Sequence, residues 1–338
     1  MHNRYSRQQL FSPIGEKGQA LLKQKHVLII GVGALGSASA EALVRAGIGK
    51  LTIIDRDYVE WSNLQRQQLY TEQDAEEKVP KAIAAKKRLQ KINAEVKINE
   101  YILDAYTEAL LPLLEDVDVM VDATDNFDVR FMMNDLAQKY KIPWVYGSCI
   151  SSYGATFTVV PGKTPCYHCL LKAIPNTGMT CDTVGIISPA VQIVAAYQVT
   201  EVLKLLVEDE KSLRKTYCTF DVWQNQHYEI NVENIRKSDC PSCGDNPTYP
   251  HLAYENQTKL EVLCGRDAIQ IRPPKPIHYN FDQLAVQLRP YGKIQRNPYL
   301  LSCQTEDYRL VIFQDGRVVL HGIQDIEKAK IIYYRLFG

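Results

Sequence analysis

Four of the nine cysteines fall into two Cys-x-x-Cys pairs, a spacing typical of metal ligands. The pairs are Cys166 with Cys169 and Cys240 with Cys243. Four thiolates bind Zn²⁺ in a closed tetrahedron, which is a structural rather than a catalytic arrangement. The 70 residues between the pairs exceed the usual spacing, so the fold must bring the pairs together. Two redox motifs are the weaker alternative, because neither pair opens a thioredoxin-like helix.

A glycine-rich segment, GVGALG, follows an apolar run and precedes a helical pattern. Gly31, Gly33 and Gly36 form the GxGxxG spacing, in which bare backbone approaches a phosphate at a helix N-terminus. Asp55 ends the next apolar run, where a carboxylate accepts hydrogen bonds from ribose hydroxyls. The segment predicts a nucleotide site without choosing between NAD, FAD and ATP. The chain has no GxxxxGK(S/T) motif, which excludes a P-loop ATPase.

Basic and amide side chains near the ribose acid favour a triphosphate. Asn63, Arg66 and Lys81 follow Asp55 closely, and Arg7 lies near the start of the chain. A triphosphate carries more negative charge than the diphosphate of a dinucleotide, and this charge must be neutralised while pyrophosphate leaves. Each of these side chains alone is more often a solvated surface residue. Together they predict an ATP site.

The segment VDATDN closes another apolar run. In a doubly wound sheet, ligands bind at the carboxyl ends of the strands. Asp125 is therefore positioned to hold Mg²⁺, and Asn126 to reach the nucleotide. The alternative is a helix cap before Phe127, a common role for Asp and Asn. Both interpretations hold together if Asp125 binds the metal while Asn126 caps the helix.

The elements that must position these side chains alternate along the chain. Residues 26–147 switch repeatedly between short apolar runs and helical patterns. This alternation predicts an α/β fold with a doubly wound, mainly parallel, Rossmann-like sheet. Residues 153–162 have a β pattern that predicts an antiparallel extension. Residues 161–187, rich in cysteine, proline and glycine, predict a long loop, and residues 188–209 predict an apolar helix.

The 338 residues are enough for two domains. The segment CPSCGDNPTYPHL predicts a boundary, with a large domain over residues 1–248 and a small α+β domain over residues 249–338. In the small domain, helical patterns flank a β meander. Asp315 and Gly316 predict a hairpin turn within that meander.

The overall composition excludes several classes of protein. Lys and Arg together number 39, as do Asp and Glu, so net charge gives no reason to expect nucleic acid or an anionic membrane as the main partner. The polar start argues against a signal peptide, and no apolar run reaches the ~18 residues of a membrane span. We therefore expect a cytoplasmic protein, in which disulfides are rare.

The motifs RYSRQ, GVGALG, DYVEWSNLQRQ, KVPKA and ATDN, with the paired cysteines, resemble the MoeB/ThiF/HesA family of bacterial relatives of ubiquitin-activating enzymes. The resemblance covers roughly residues 4–248. It implies an adenylation domain with a structural Zn²⁺ site. It also implies that ATP and Mg²⁺ are used to adenylate the C-terminal glycine of a small ubiquitin-like sulfur-carrier protein, with release of pyrophosphate.

The resemblance also implies roles for individual residues. Those expected to bind nucleotide and metal are Gly31, Gly33, Gly36, Asp55, Asn63, Arg66, Lys81, Asp125 and Asn126. Those expected to act in catalysis are Arg7, Arg66, Lys81, Asp125 and Cys181. Arg7 is expected to reach the ATP of a partner subunit, which requires a homodimer. Cys181 matches a loop cysteine that links covalently to the carrier in some relatives; an accessible bystander is the alternative.

Other interpretations stay open at this point. An NAD- or FAD-dependent oxidoreductase explains GxGxxG but not SNLQRQ, TDN or the cysteine pairs. A non-catalytic adaptor for a ubiquitin-like protein would not need the four residues Arg7, Arg66, Lys81 and Asp125. The motifs do not distinguish a ThiS-like carrier, for thiamine, from a MoaD-like carrier, for molybdopterin. A cysteine desulfurase is the expected kind of sulfur donor.

Overall fold

The computed structural model describes residues 4–173, 184–253, 260–263, 268–272 and 278–337. These residues belong to two compact units. The first unit comprises the described residues up to 253, and the second comprises those from 260 onward. The domain boundary placed after residue 248 stays a prediction.

The first unit is built on an eight-stranded sheet. Its strands are β1 (His26–Ile30), β2 (Lys50–Asp55), β3 (Lys97–Ile102), β4 (Val119–Asp122), β5 (Trp144–Ile150), β6 (Tyr153–Val159), β7 (Thr216–Asp221) and β8 (Gln226–Asn231). Their order across the sheet is β3-β2-β1-β4-β5-β6-β7-β8. The strands from β3 to β5 are parallel neighbours, and β6, β7 and β8 continue the sheet in antiparallel fashion.

Helices connect and cover these strands. They are α1 (Ser6–Gln9), α2 (Gly15–Leu22), α3 (Ala34–Ala46), α4 (Glu72–Glu76), α5 (Lys81–Ile92), α6 (Thr107–Leu110), α7 (Phe127–Tyr140), α8 (Tyr167–Ala173) and α9 (Ser188–Leu206). Gly47 ends α3 with a φ of 81°, and its N–H donates to the carbonyl oxygens of Leu43 and Val44. Among the described residues, no helix combines the length and the apolar content that a bilayer crossing requires.

The sheet is buried on both faces. Along β1, Val27 and Ile29 belong to one apolar core, while Leu28 and Ile30 belong to another. Successive side chains of a strand point to opposite faces, so each core covers one face. Burial on both faces is the pattern of a parallel sheet with helices on either side. The prediction of a doubly wound, mainly parallel sheet with an antiparallel extension is confirmed.

The strand order reverses between β1 and β4, which are neighbours although they are far apart in sequence. In sheets of this kind, the crevice at the carboxyl ends of the strands beside such a reversal is where ligands bind. Gly31 follows β1 directly, and Ala123 follows β4 directly. The fold therefore brings the glycine segment and the ATDN segment to the same place.

The prediction of a continuous loop over residues 161–187 is wrong in part, because α8 lies within it. The N–H of Leu170 donates to the carbonyl oxygen of Cys166 at 3.0 Å, closing a helical turn that holds Cys166 and Cys169 near each other. The spacing of a Cys-x-x-Cys pair suits such a turn. Cys181 lies in residues 174–183, outside the described residues.

The described residues of the second unit form one antiparallel sheet and two α-helices. The elements are β9 (Leu260–Leu263), β10 (Ala268–Ile271), α10 (Phe281–Leu288), β11 (Lys293–Arg296), β12 (Leu300–Gln304), β13 (Arg309–Phe313), β14 (Val318–His321) and α11 (Ile326–Phe337). The strand order is β11-β12-β13-β14-β10-β9. Gly316, with a φ of 90°, lies in the predicted turn between β13 and β14. The α+β class is confirmed, although the three short strands β9, β10 and β11 were not predicted.

Candidate nucleotide site and cysteine cluster

The three glycines after β1 meet different requirements. Gly31 has a φ of 90°, and a Cβ there would collide with the carbonyl oxygen of Ala123. A Cβ on Gly36 would collide with the carbonyl oxygen of Gly31. At Gly33, by contrast, the nearest atom to an added Cβ is Gln67 Nε2, at 3.8 Å. Packing therefore requires Gly31 and Gly36, while Gly33 borders open space at the start of α3, where backbone N–H groups favour an anion.

Asp55 at the end of β2 holds the glycine loop in place. Its Oδ2 accepts from the N–H of Val32 at 2.6 Å, and its Oδ1 accepts from the N–H of Asp57 at 2.7 Å. Burial raises the pKa of Asp55, and the nearby Lys81 ammonium opposes that shift. Each carboxylate oxygen keeps acceptor capacity beyond one hydrogen bond, so this role is compatible with the predicted contact to ribose.

Lys81 is the first residue of α5 and is only 4% exposed. A lysine is unfavourable at the positive end of a helix dipole, so its charge needs a nearby anion. Asp57 supplies one, since its Oδ2 lies 3.2 Å from Lys81 Nζ. The N–H of Lys81 also donates to the carbonyl oxygen of Asp57 at 2.9 Å. The ammonium group is thus held beside Asp57 and Asp55.

The SNLQRQ segment forms a tight turn after β2. The short 3₁₀ helix Trp61–Asn63 overlaps its start, and Asn63 is 3% exposed. Asn63 Oδ1 accepts from the N–H of Glu60 at 3.0 Å, which closes the turn. Arg66 Nη1 donates to the carbonyl oxygen of Ser62 at 2.8 Å. The turn therefore fixes Asn63 and orients the half-buried Arg66.

Gln67 belongs to this site although sequence reasoning did not single it out. Its side chain is 4% exposed and faces the space beside Gly33. In the described part of the chain, its buried Oε1 has no hydrogen-bond partner. A buried polar atom without a partner is costly, and a ligand that donates a hydrogen bond there would satisfy it. The signal in the sequence is the four-residue spacing from Asn63, which puts both amides on one face of a turn.

Asp125 and Asn126 have different environments after β4. Asn126 caps α7, since its Oδ1 accepts from the N–H of Val129 at 3.1 Å. Asp125 is exposed. The arrangement matches the interpretation in which Asn126 is the cap and Asp125 is left for another partner. The predicted contacts of Asp125 with Mg²⁺ and of Asn126 with nucleotide stay predictions.

A buried ion pair supports the segment that carries Asp125. Arg130 Nε donates to Asp122 Oδ2 at 2.9 Å, and both residues are buried. Arg130 Nη2 donates to the carbonyl oxygens of Thr124, at 2.6 Å, and Gly147, at 3.2 Å. Arg130 thus fixes the backbone next to Asp125 against β5. The sequence alone did not single out this pair.

The four paired cysteines meet in one buried cluster. Their four Sγ atoms lie within 4.8 Å of one another. Cys166 Sγ is 3.6 Å from Cys240 Sγ, and Cys169 Sγ is 3.7 Å from Cys243 Sγ. A tetrahedron with Zn–S bonds of ~2.3 Å has S···S edges of about 3.8 Å. The donor set and its spacing therefore fit one Zn²⁺ ion.

The second cysteine pair is held by a tight turn. The N–H of Gly244 donates to the carbonyl oxygen of Cys240 at 2.9 Å, and a Cβ on Gly244 would collide with backbone oxygens of Ser238 and Cys240. Arg236 Nη2 donates to the carbonyl oxygen of Cys243 at 3.0 Å. The 70 residues between the pairs are thus bridged by the fold, as the zinc hypothesis required.

One predicted catalytic residue, Arg7, lies on a short helix that precedes β1. Arg7 is exposed on α1. Within the described part of the chain, it forms no hydrogen bond or ion pair with the nucleotide-site residues.

A match to a known family agrees with this geometry. The model of the ThiF family matches residues 5–242. The chain belongs to the ThiF family. The matched residues include all the predicted site positions from Arg7 to Cys240, and only Cys243 lies beyond the match. The family membership inferred from the sequence motifs is confirmed.

Individual relatives of this ThiF-family chain cover most or all of it. It is 52% identical to the sulfur carrier protein ThiS adenylyltransferase of Bacillus subtilis (strain 168), over the full length of both chains. It is 35% identical to the sulfur carrier protein adenylyltransferase of Thermus thermophilus, over 78% of this chain and 96% of that relative. Among solved structures, E. coli MccB with ATP has a TM-score of 0.62 and 25% identity, over 72% of this chain and 74% of MccB. These relatives are named for adenylyl transfer or solved with ATP, which disfavours the oxidoreductase and adaptor alternatives.

Proposed function

We propose that this chain is an ATP-dependent adenylyltransferase that activates the C-terminal glycine of a ubiquitin-like sulfur-carrier protein of the ThiS type, for thiamine biosynthesis. The observation that carries the proposal is the 52% identity to a ThiS adenylyltransferase over the full length of both chains. That similarity extends through the second unit, beyond the end of the family match at residue 242.

The geometry beside β1 supports the binding of ATP. The N-terminus of α3 and the open face of Gly33 suit a phosphate group. Asp57 holds Lys81 at this site, and a phosphate oxygen is another anionic partner to which the ammonium group can donate. Arg66 provides a second cation nearby in sequence, on the turn that also carries Asn63.

The reaction needs no nucleophile from the protein. A carboxylate oxygen of the carrier attacks the α-phosphorus of ATP, and the bond from that phosphorus to the oxygen bridging it to the β-phosphate breaks. Pyrophosphate leaves with the bonding electron pair, and an acyl-adenylate stays on the carrier. The residues of the site contribute by positioning the two reactants and by neutralising charge that develops on the departing pyrophosphate. Lys81 and Arg66 are the cations proposed for the second task.

Asp125 is the residue proposed to hold Mg²⁺. The ion prefers a few carboxylates together with phosphate oxygens, and Asp125 offers an exposed carboxylate at the end of β4. Asn126 caps α7, so the carboxylate of Asp125 is not needed as the helix cap. When bound, Mg²⁺ supplies positive charge to the phosphates.

Two further features follow from the family resemblance. The exposed position of Arg7 suits a homodimer in which it reaches the ATP of the partner subunit. Zn²⁺ at the four cysteines would have a structural role, because four thiolates leave no open coordination position. A covalent role for Cys181 and a cysteine desulfurase as sulfur donor both stay predictions.

Isotope exchange between pyrophosphate and ATP tests the proposal. The exchange is measured with a ThiS-like carrier, with a MoaD-like carrier, and with a ThiS-like carrier that lacks its terminal glycine. We expect exchange with the intact ThiS-like carrier alone. Exchange with the MoaD-like carrier alone would support the proposed adenylation but show that the carrier is of the MoaD type rather than the ThiS type. If neither intact carrier supports exchange, the proposed function is wrong.

A further inference from the structure

A second group of metal-ligand side chains lies on the antiparallel edge of the first unit's sheet. Cys218 is on β7, and His227 and Glu229 are on the edge strand β8. One ligand atom from each lies within 4.8 Å of the other two. None of these three residues belongs to the four-cysteine cluster.

Strand pairing accounts for this meeting of side chains. Cys218 is directly opposite Glu229, and His227 is two residues from Glu229 along β8. Directly opposite residues in an antiparallel pair point to the same face, and so do residues two apart on one strand. All three side chains therefore project from one face of the sheet, and the register of β7 with β8 holds them together.

The distances suit a tetrahedral ion. Cys218 Sγ is 3.4 Å from His227 Nε2, and His227 Nε2 is 3.9 Å from Glu229 Oε1. With Zn–S of ~2.3 Å and Zn–N and Zn–O of ~2.1 Å, tetrahedral geometry gives about 3.6 Å for S···N and about 3.4 Å for N···O. The N···O distance is the longer of the two, and Glu229 is on the exposed edge strand, where its side chain has room to move toward an ion.

Neighbouring groups contact two of these three side chains, Glu229 and His227. The hydroxyl of Thr216 donates to Glu229 Oε2, and Arg214 Nε lies 3.5 Å from Glu229 Oε1. The hydroxyl of Tyr197 is 3.4 Å from His227 Nε2, where it can donate a hydrogen bond that a metal would replace. The contacts of Thr216 and Arg214 with Glu229 are of the kind that orient ligating side chains in metal sites.

We propose that Cys218, His227 and Glu229 form a second zinc site. The thiolate and the carboxylate together balance the charge of Zn²⁺, and the three donors leave a fourth position open. Cys218 is fully buried, while the side chains of His227 and Glu229 are 47% and 39% exposed, so the open position faces solvent. The site would accept water or another small donor, unlike the closed cluster of four cysteines.

The zinc content of the full-length chain tests this proposal. The protein is incubated with excess Zn²⁺, dialysed, and analysed for metal per chain by mass spectrometry. We expect two ions in the native protein and one in His227→Ala and in Cys218→Ser. Cys303→Ser, which alters a buried free cysteine in the second unit, is the matched control and should keep two. His227 is exposed, so its replacement keeps the test valid if Cys218→Ser fails to fold.

A second measurement identifies the thiolate. Co²⁺ added to chains that already hold one tightly bound Zn²⁺ should produce a sulfur-to-cobalt charge-transfer band, which Cys218→Ser removes and Cys303→Ser keeps. A single ion per native chain at excess Zn²⁺, or two ions in His227→Ala, would overturn the proposal. Neither readout depends on adenylation, so failure of this site and failure of the proposed function are seen separately.

Discussion

The glycines after β1 separate a packing requirement from a binding requirement. Gly36→Ala places a methyl group against the carbonyl oxygen of Gly31, which is backbone and has little freedom to move. We expect a loss of about 1–3 kcal/mol in the free energy of unfolding. Gly33→Ala meets no atom closer than 3.8 Å, so we expect an unchanged melting temperature and weaker ATP binding. Calorimetry of unfolding and of ATP binding checks both; equal losses of stability would contradict the distinction.

The two neighbours Asp125 and Asn126 should also give separable effects. Asp125→Ala is expected to lower pyrophosphate exchange by a factor of ~100 or more, because this carboxylate is proposed to hold the Mg²⁺ that neutralises phosphate charge. The melting temperature should not change, because the carboxylate is exposed. Asn126→Ala removes the cap of α7 and should cost about 1 kcal/mol of stability. Asp128→Ala, an exposed acid in the first turn of α7, is the matched control. Normal exchange by Asp125→Ala would refute its assignment.

At the scale of elements, the pair of Asp122 and Arg130 joins β4, β5 and α7. Arg130→Met leaves the buried carboxylate of Asp122 without a counter-charge, which should cost about 3–5 kcal/mol. The double variant Asp122→Asn with Arg130→Met removes both charges and should be more stable than Arg130→Met alone. Urea unfolding of the two variants and the native chain measures the difference. A double variant less stable than the single one would show that the charge pair is not the cause.

The sequence predicted those elements that depend only on residues close together in the chain. Examples are the apolar runs of β1 and β2 and the glycine that ends α3, each of which is defined by neighbouring residues. Pairs of residues far apart in sequence could not be predicted: Arg130 on α7 donates to Gly147 on β5, and Gln67 faces Gly33 across the loop. The helix α8 was missed because prolines and glycines around it favoured a loop. The cluster around Cys218 depends on the register of β7 and β8, which a single sequence does not contain.

At the scale of the whole molecule, Arg7 gives the sharpest test of a shared site. If Arg7 serves the ATP of a partner subunit, Arg7→Ala and Arg66→Ala are each inactive alone. Mixing them forms hybrid dimers in which one of the two sites has both arginines, so up to about a quarter of native activity should return with random exchange. Pyrophosphate exchange before and after mixing measures it. Recovery must be absent when Arg7→Ala is mixed with a double Arg7→Ala, Arg66→Ala variant.

A bound ion at the four cysteines would also change what happens when the chain unfolds. It would convert the 70 residues between Cys169 and Cys240, which contain α9, β7 and β8, into a closed loop. Closing a loop of this length lowers the conformational entropy of the unfolded chain, which stabilises the folded chain by about 4 kcal/mol. Chelation should therefore loosen the antiparallel half of the sheet before the parallel half that carries the glycine loop. Hydrogen exchange would show this as a larger acceleration on chelation in β7 and β8 than in β1 and β2, and equal acceleration in both halves would contradict it.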